Sequence, residues 1–160
     1  MITIKYVSPV GSILLSANDG AITQLYFDGG ITTPPSLQES ASRPGVSDAH
    51  VLDTAVKELD AYFAGRLKEF TVPLCPQGTP FRTRVWQALQ EIPYGETISY
   101  KQLALNIGNP AAIRAVGGAN HHNPISIIIP CHRVIGANGK LVGYGGGIEV
   151  KEFLLGLEKK

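Results

Sequence analysis

The sequence predicts an α+β protein in two parts: a small antiparallel sheet with one helix, then a helix-turn-helix module of the winged kind. Three observations carry this expectation. The first 28 residues alternate and turn as hairpins do. Helical spacing replaces the alternation from Asp48 onward, and three helix starts crowd together between Thr79 and Asn120.

Ile2 to Tyr6 alternates, Ser8 to Gly11 supplies turn chemistry, and Ser12 to Ser16 follows as a second strand. Asn18-Asp19-Gly20 offers a tight turn whose residues tolerate positive φ, and Ala21 to Phe27 resumes the pattern. Residues 29–47 are rich in Gly, Pro, Ser and Thr without periodicity, which reads as a loop. Val51, Ala55, Leu59, Tyr62 and Phe63 then recur at helical spacing, with Gly65 as the stop. Leu74 to Gly78, punctuated by Pro73 and Pro76, reads as a linker, so the domains are expected at 1–78 and 79–160.

Thr79-Pro80 places a cap residue before a proline at the first helical position, and Phe81, Val85, Trp86 and Leu89 form an apolar stripe behind it. Ser99 to Gln102 is a capping box, opening a helix expected to run to Ile107 and stop at Gly108. Asn109-Pro110 is expected to cap a third helix through Asn120 at once. Two short helices joined at Gly108 have helix-turn-helix spacing, and small residues on the second would let it approach DNA closely. A plain helical hairpin packed into a core fits the same spacing. Ile125 to Ile129 reads as a short strand, the glycine-rich Gly136 to Gly147 as a hairpin, and Glu149 to Leu157 as a closing helix.

The 160 residues are 44% hydrophobic and 17% charged, which excludes a disordered chain. No apolar run approaches a membrane span, and the start lacks the pattern of a secretion signal, so a soluble, cytoplasmic protein is expected. Two cysteines make neither a disulfide framework nor a structural zinc site by themselves. The net charge of +1 disfavours a nucleic-acid partner until the chain is divided. Residues 1–78 hold five basic and eight acidic groups, a net −3, and residues 79–160 hold nine and five, a net +4. Such asymmetry points weakly to polyanion binding by the second half.

Cys131 is the residue most suggestive of chemistry. The thiolate is the nucleophile, and an unassisted cysteine is only slightly ionised at neutral pH, so a base and a positive charge are needed nearby. His132 and Arg133 follow it, but neighbours on a strand point to opposite faces, and their joint action needs a turn, which Pro130 permits. The alternative is a small buried hydrophobe, the usual fate of a lone cysteine and the reading adopted for Cys75.

Ile128 to Ile135 contains Pro-Cys-His-Arg-Val and resembles the signature of the O6-alkylguanine-DNA alkyltransferases, a family of direct-reversal DNA repair proteins. Phe81, Val85-Trp86, Ile92 to Gly95, Ser99-Tyr100, Ile107-Gly108, Arg114 to Gly117, Asn123-Pro124, Gly143-Tyr144, Gly146-Gly147 and Lys151 to Glu158 follow in family order and spacing. The resemblance covers residues 79–160; the first half matches only in layout. It implies a ribonuclease H-like first domain and a monomeric protein. Its partner would be double-stranded DNA containing O6-alkylguanine, with O4-alkylthymine a further candidate.

By that resemblance Cys131 takes the alkyl group irreversibly in a single turnover. His132 is its base through water, Glu158 orients the imidazole, and Asn123 holds the turn that joins them. DNA is bound from the minor-groove side by the second helix, with Ala115, Gly117 and Gly118 on its surface, and the damaged base is flipped out. Arg114 fills the vacated stack, and Tyr100 crowds the phosphate and lines the pocket. Val134, Tyr144 and Gly145 bind the guanine. Without the resemblance, Arg114 reads as a helix-surface charge and Tyr100 as a core aromatic.

Gly145 stands where serine is common, and Val142 and Ser126 replace the glycine and proline of the human member, which implies resistance to bulky guanines such as O6-benzylguanine. The zinc of that member uses Cys and His ligands in the first domain. Here that domain holds only Cys75 and His50, so no metal or cofactor is expected. A non-catalytic winged-helix binder and a turnover thiol hydrolase are the rival classes.

Overall fold

The computed structural model describes residues 2–28, 46–136, 138–139, 144 and 147–159. Three antiparallel strands, β1 (Ile2–Ser8), β2 (Gly11–Asn18) and β3 (Ala21–Phe27), form a sheet in sequence order. The β2–β3 turn is closed by Asp19 (φ 51°) and Gly20 (φ 79°), the left-handed pair that a two-residue hairpin requires. Helix α1 (Val46–Phe63) packs across all three strands. Asp48 Oδ1 accepts from the Gly20 N–H at 2.7 Å, and Asp60 Oδ1 accepts from the Tyr6 hydroxyl at 2.6 Å, so both ends of the helix are tied to the sheet. Gly65 ends it in the left-handed conformation (φ 75°).

The segment expected as a linker is part of the architecture. Ile22 N–H donates to the Pro73 carbonyl and Cys75 N–H to the Ile22 carbonyl, each at 2.8 Å, so residues 73–75 lie along the outer edge of β3. Further along that edge, Leu25 N–H donates to the Pro124 carbonyl at 2.8 Å and Ser126 N–H returns a bond to Leu25 at 3.3 Å. An open strand edge is a row of unpaired groups. Here it is covered, and part of the cover comes from the residues just before Cys131.

Helices α2 (Pro80–Gln90), α3 (Tyr100–Asn106) and α4 (Ile113–His121) pack on one another, and α5 (Ile148–Glu158) closes the chain. Thr79 caps α2, its side chain accepting from the Arg82 N–H at 3.2 Å. Ser99 caps α3 in the same way at 3.0 Å, but Gln102 turns to Asn106 rather than back to Ser99, so the capping box is half formed. Ser99 belongs to β4 (Ile98–Ser99), which pairs in parallel with β5 (Val134–Ile135).

The α3–α4 connection is longer than expected. Asn109 and Pro110 form a turn closed by Ala112 N–H to the Asn109 carbonyl (3.0 Å), and α4 starts only at Ile113 without a side-chain cap. Val116 and Ala119 bury its inner face, and Trp86 Nε1 donates to the Ala119 carbonyl at 2.8 Å. The hairpin expected over residues 136–147 falls largely outside the described residues. Among the described residues, no helix is long and apolar enough to cross a membrane.

Gly78 lies against the Trp86 ring, and a Cβ there would sit 2.4 Å from the ring edge. Trp86 is buried and held by its indole N–H, so it cannot retreat. Gly78→Ala should therefore destabilise the protein by about 1–3 kcal/mol, lowering the melting temperature by about 3–10 °C in thermal unfolding.

Candidate active site and nucleic-acid face

The apolar run Ile125–Ile129, expected as a strand, is wound into a turn. Beyond the Ser126 bond to Leu25, its backbone bonds are local: Ile128 N–H to Ser126 (2.8 Å), Ile129 N–H to Ile125 (3.0 Å) and Cys131 N–H to Ile129 (2.8 Å). Asn123 clasps the turn from within. Its Oδ1 accepts from Ile125 N–H at 3.0 Å, and its Nδ2 donates to the Ile129 carbonyl at 2.8 Å. Ile127, only 1% exposed, is left-handed at φ 71°, a conformation that a β-branched residue adopts at a cost of about 1–3 kcal/mol. Continuous burial hid this turn from periodicity, since a buried apolar run reads as a strand whether extended or wound.

The turn delivers Cys131 to the first position of a 3₁₀ turn, Cys131–Arg133. Three residues per turn fan successive side chains about 120° apart, so Cys131, His132 and Arg133 serve different partners. His132 is fully buried and its Nε2 meets Glu158 Oε2 at 2.5 Å. Arg133 grips both carboxylate oxygens, Nε to Oε1 at 2.7 Å and Nη2 to Oε2 at 3.2 Å, and its Nη1 donates to the Ile92 carbonyl at 2.7 Å. Tyr62, from α1, donates its hydroxyl to Oε2 at 2.5 Å.

Burial pushes the Glu158 carboxyl up, but the hydrogen bond and charge of His132, with the bonds of Arg133 and Tyr62, bring it down to about 2. Burial lowers His132 below an ordinary histidine, and Glu158 only partly offsets that. At neutral pH the pair is therefore an anionic carboxylate and a neutral imidazole, with the Nε2 proton donated to Glu158. This leaves Nδ1 with the lone pair, and Nδ1 is buried with no hydrogen-bond partner among the described residues.

Cys131 is 3% exposed, and burial raises its thiol above the ordinary cysteine value. Asn123, Lys151 and Ser126 work in the opposite direction. The sequence offers Arg133 as a positive charge for the sulfur if a turn brings the two together. The structure assigns Arg133 to Glu158, and the cation influencing the sulfur is Lys151, fully buried on α5 with Nζ donating to the Val134 carbonyl at 2.7 Å. Lys151 could have been flagged by its place on the apolar face of a closing helix. Tyr62 gave no signal, because an aromatic on a helical stripe is the ordinary core pattern.

Of the other expected site residues, Val134 is buried in β5, and Tyr144 is buried with its ring edge-on to Phe27 at 5.6 Å. Tyr144 and half-buried Tyr100, the first residue of α3, both feel the charge of Cys131. Gly145 and Val142 lie outside the described residues. Arg114 and Ala115 are exposed on α4, with Gly117 and Gly118 partly exposed beside them.

Neither glycine is required by the fold. Neither has a positive φ, a Cβ on Gly117 would meet only Tyr100 at 3.9 Å, and one on Gly118 would meet nothing. Each costs the helix about 1 kcal/mol relative to alanine, so the internal packing of the protein offers no reason for them.

The family model for the DNA binding domain of 6-O-methylguanine DNA methyltransferase matches residues 80–160, and that for its ribonuclease-like domain matches residues 1–76. The methylated-DNA–protein-cysteine methyltransferase of Methanosarcina acetivorans is 51% identical over 156 residues, covering 96% of this chain and 95% of that protein. That of Mycobacterium tuberculosis is 53% identical over 152 residues, covering 95% and 88%. The crystal structure of Mycobacterium tuberculosis OGT in complex with DNA superposes with a TM-score of 0.84 at 50% identity, covering 97% of this chain and 91% of that one.

The depressed titration of Glu158 fixes a sign. Its contribution to stability is complete above about pH 4.5 and is lost as the pH falls towards 2. Denaturant unfolding across that window should therefore show a steeper loss of stability in the wild type than in Glu158→Gln. Parallel curves would mean that the buried pairing does not stabilise the anion.

Proposed function

Because the chain belongs to the 6-O-methylguanine DNA methyltransferase family, we propose that Cys131 is the residue it alkylates and that His132, Glu158 and Asn123 make that thiol reactive. The protein is a stoichiometric DNA-repair methyltransferase that moves the alkyl group of O6-alkylguanine in DNA onto its own cysteine. The step is one displacement. Cys131 Sγ bonds to the alkyl carbon as the carbon–O6 bond breaks, and that electron pair leaves with the guanine. The thiol proton passes through water to His132 Nδ1.

One observation carries this reading. With Nε2 committed to Glu158, the lone pair of the imidazole is on a buried nitrogen that has no hydrogen-bond partner among the described residues. Glu158 stabilises the imidazolium that forms, and Lys151 favours the thiolate. Asn123 holds the strained turn that presents the sulfur. Since the thioether is not reversed, each molecule acts once.

A guanine inside the stack cannot reach a thiol that is 3% exposed, so the base must leave the duplex at a cost of a few kcal/mol. In this reading the exposed face of α4 lies against the minor groove, where the bare backbone at Gly117 and Gly118 lets the helix come close. Arg114 takes the emptied place in the stack, and Tyr100 stands between that face and Cys131. Val134 and Tyr144 receive the flipped base, a role the resemblance also gives to Gly145. We place the protein in the cytoplasm, acting as a monomer. A net +4 half contacts few phosphates, so affinity should fall with salt along a shallow slope.

Mass spectrometry after incubation with duplex DNA containing O6-methylguanine should find a single methyl group, on Cys131. Cys131→Ala should lose transfer completely and keep DNA binding. An unmodified cysteine with turnover would indicate a thiol hydrolase, and binding without modification a non-catalytic reader. Arg114→Ala should slow repair of duplex DNA about tenfold or more while reaction with free O6-methylguanine stays within about twofold, on the scale of one lost charged contact. Equal losses on both substrates would remove the stacking role.

A further inference from the structure

Tyr62 stands outside the constellation assigned above, 96 residues before Glu158 and on the other half of the chain, yet its hydroxyl reaches the same carboxylate oxygen as the imidazole. Its ring is fully buried and fixed by the rings of Phe63 and Phe70, each 5.4 Å away, and of Tyr94 at 6.4 Å. A phenylalanine would fill that space equally well. The hydroxyl is therefore not explained by packing, and its hydrogen bond is to Glu158.

Arg133 differs in this respect, because it also holds the Ile92 carbonyl and lies over the Tyr94 ring with its guanidinium carbon 5.7 Å from the centroid. Oε2 accepts from three donors, His132 Nε2, Tyr62 and Arg133 Nη2. Donors on one oxygen compete, and what one draws off the others lose.

We propose that Tyr62 is a positioning residue for alkyl transfer: its hydroxyl, carried in by α1, shares Glu158 Oε2 with the His132 imidazole and sets how strongly the carboxylate holds that ring. The inference rests on the His132–Glu158 relay proposed above. Burial first, and then the Glu158 charge, push the Tyr62 phenol far above its usual range, so it is a donor at every pH at which the protein is folded.

The charged and titratable groups facing the relay are Glu158 and Lys151 from α5, Arg133 and Cys131 from the 3₁₀ turn, Tyr62 from α1, Tyr94 after α2, and Tyr144. Removing the phenol proton donor leaves more of the carboxylate charge to the imidazole. His132 then keeps its proton to higher pH and is a base over a narrower range. A stronger donor at the same place does the reverse.

The test is the rate of methyl transfer to Cys131 from O6-methylguanine duplex DNA, followed across pH in the full chain. Tyr62→Phe should fold, bind the duplex with unchanged affinity and transfer about two- to tenfold more slowly on the acid side of the wild-type fall-off, where more of its His132 is protonated. The pH at which its rate falls off towards acid should lie above that of the wild type. Fluorotyrosine placed at position 62, a stronger donor, should move that fall-off below the wild type.

A profile in either variant that superimposes on the wild type's, or moves in the opposite sense, overturns the proposal. A uniform rate loss with an unmoved profile is such an outcome and makes the hydroxyl structural only. Glu158→Gln separates the two levels. If it transfers at the wild-type rate at every pH, the relay itself fails. If it is impaired while the Tyr62→Phe profile is unmoved, only the role of Tyr62 fails.

Discussion

The rest of the site depends on one buried carboxylate. Glu158 sits in the last turn of α5 with almost no exposure, and an unpaired charge there would be prohibitive. It is tolerable because four hydrogen bonds from three residues converge on its two oxygens. Each donor comes with its own commitment. Arg133 ties the carboxylate to the segment after α2 through Ile92, Tyr62 ties it to the first half of the chain, and His132 ties it to the 3₁₀ turn that begins at Cys131. The same contacts that neutralise a charge thus align α1, α5 and the 3₁₀ turn. Stability and reactivity are drawn from one set of bonds, so substitutions in this set cannot be read as purely catalytic or purely structural.

Much of this was legible before any coordinates, and what was not has identifiable causes. Strands β1 to β3, the Asp19-Gly20 turn and the Thr79 and Ser99 caps announce themselves because their signals are local, set by alternation, positive φ and side-chain oxygens. Cys131, His132, Asn123 and Glu158 were legible through a motif and its spacing. Tyr62 was not, because a buried tyrosine looks like core until the tertiary partner is known, and Lys151 was marked only by standing on the apolar face of a closing helix. The turn that could have brought Arg133 to the sulfur exists, but a 3₁₀ turn fans its side chains apart and sends Arg133 to Glu158. The turn at Ile125–Ile129 was misread as a strand for a related reason. Uniform burial erases the periodicity that separates the two.

The two halves of the chain are less independent than their opposite charges suggest. The edge of β3 carries both the 73–75 segment and the turn at Ile125, so the first domain braces the backbone that leads into Cys131. It carries a net charge of −3, and its Tyr62 reaches the same carboxylate that holds His132. The exposed face of α4, with its unneeded glycines and Arg114, lies on the other half.

The deep placement of Cys131 has a further meaning for a reagent that can be used only once. A thiol at the surface would be consumed by whatever electrophile or oxidant diffused past, and every such event would cost the cell a whole protein. Burial raises the Cys131 thiol above its ordinary value and leaves only 3% of the residue exposed, so solvent reagents have little access to the sulfur. Cys75, by contrast, is exposed. The fold therefore acts as packaging for a thiol that is spent in one reaction.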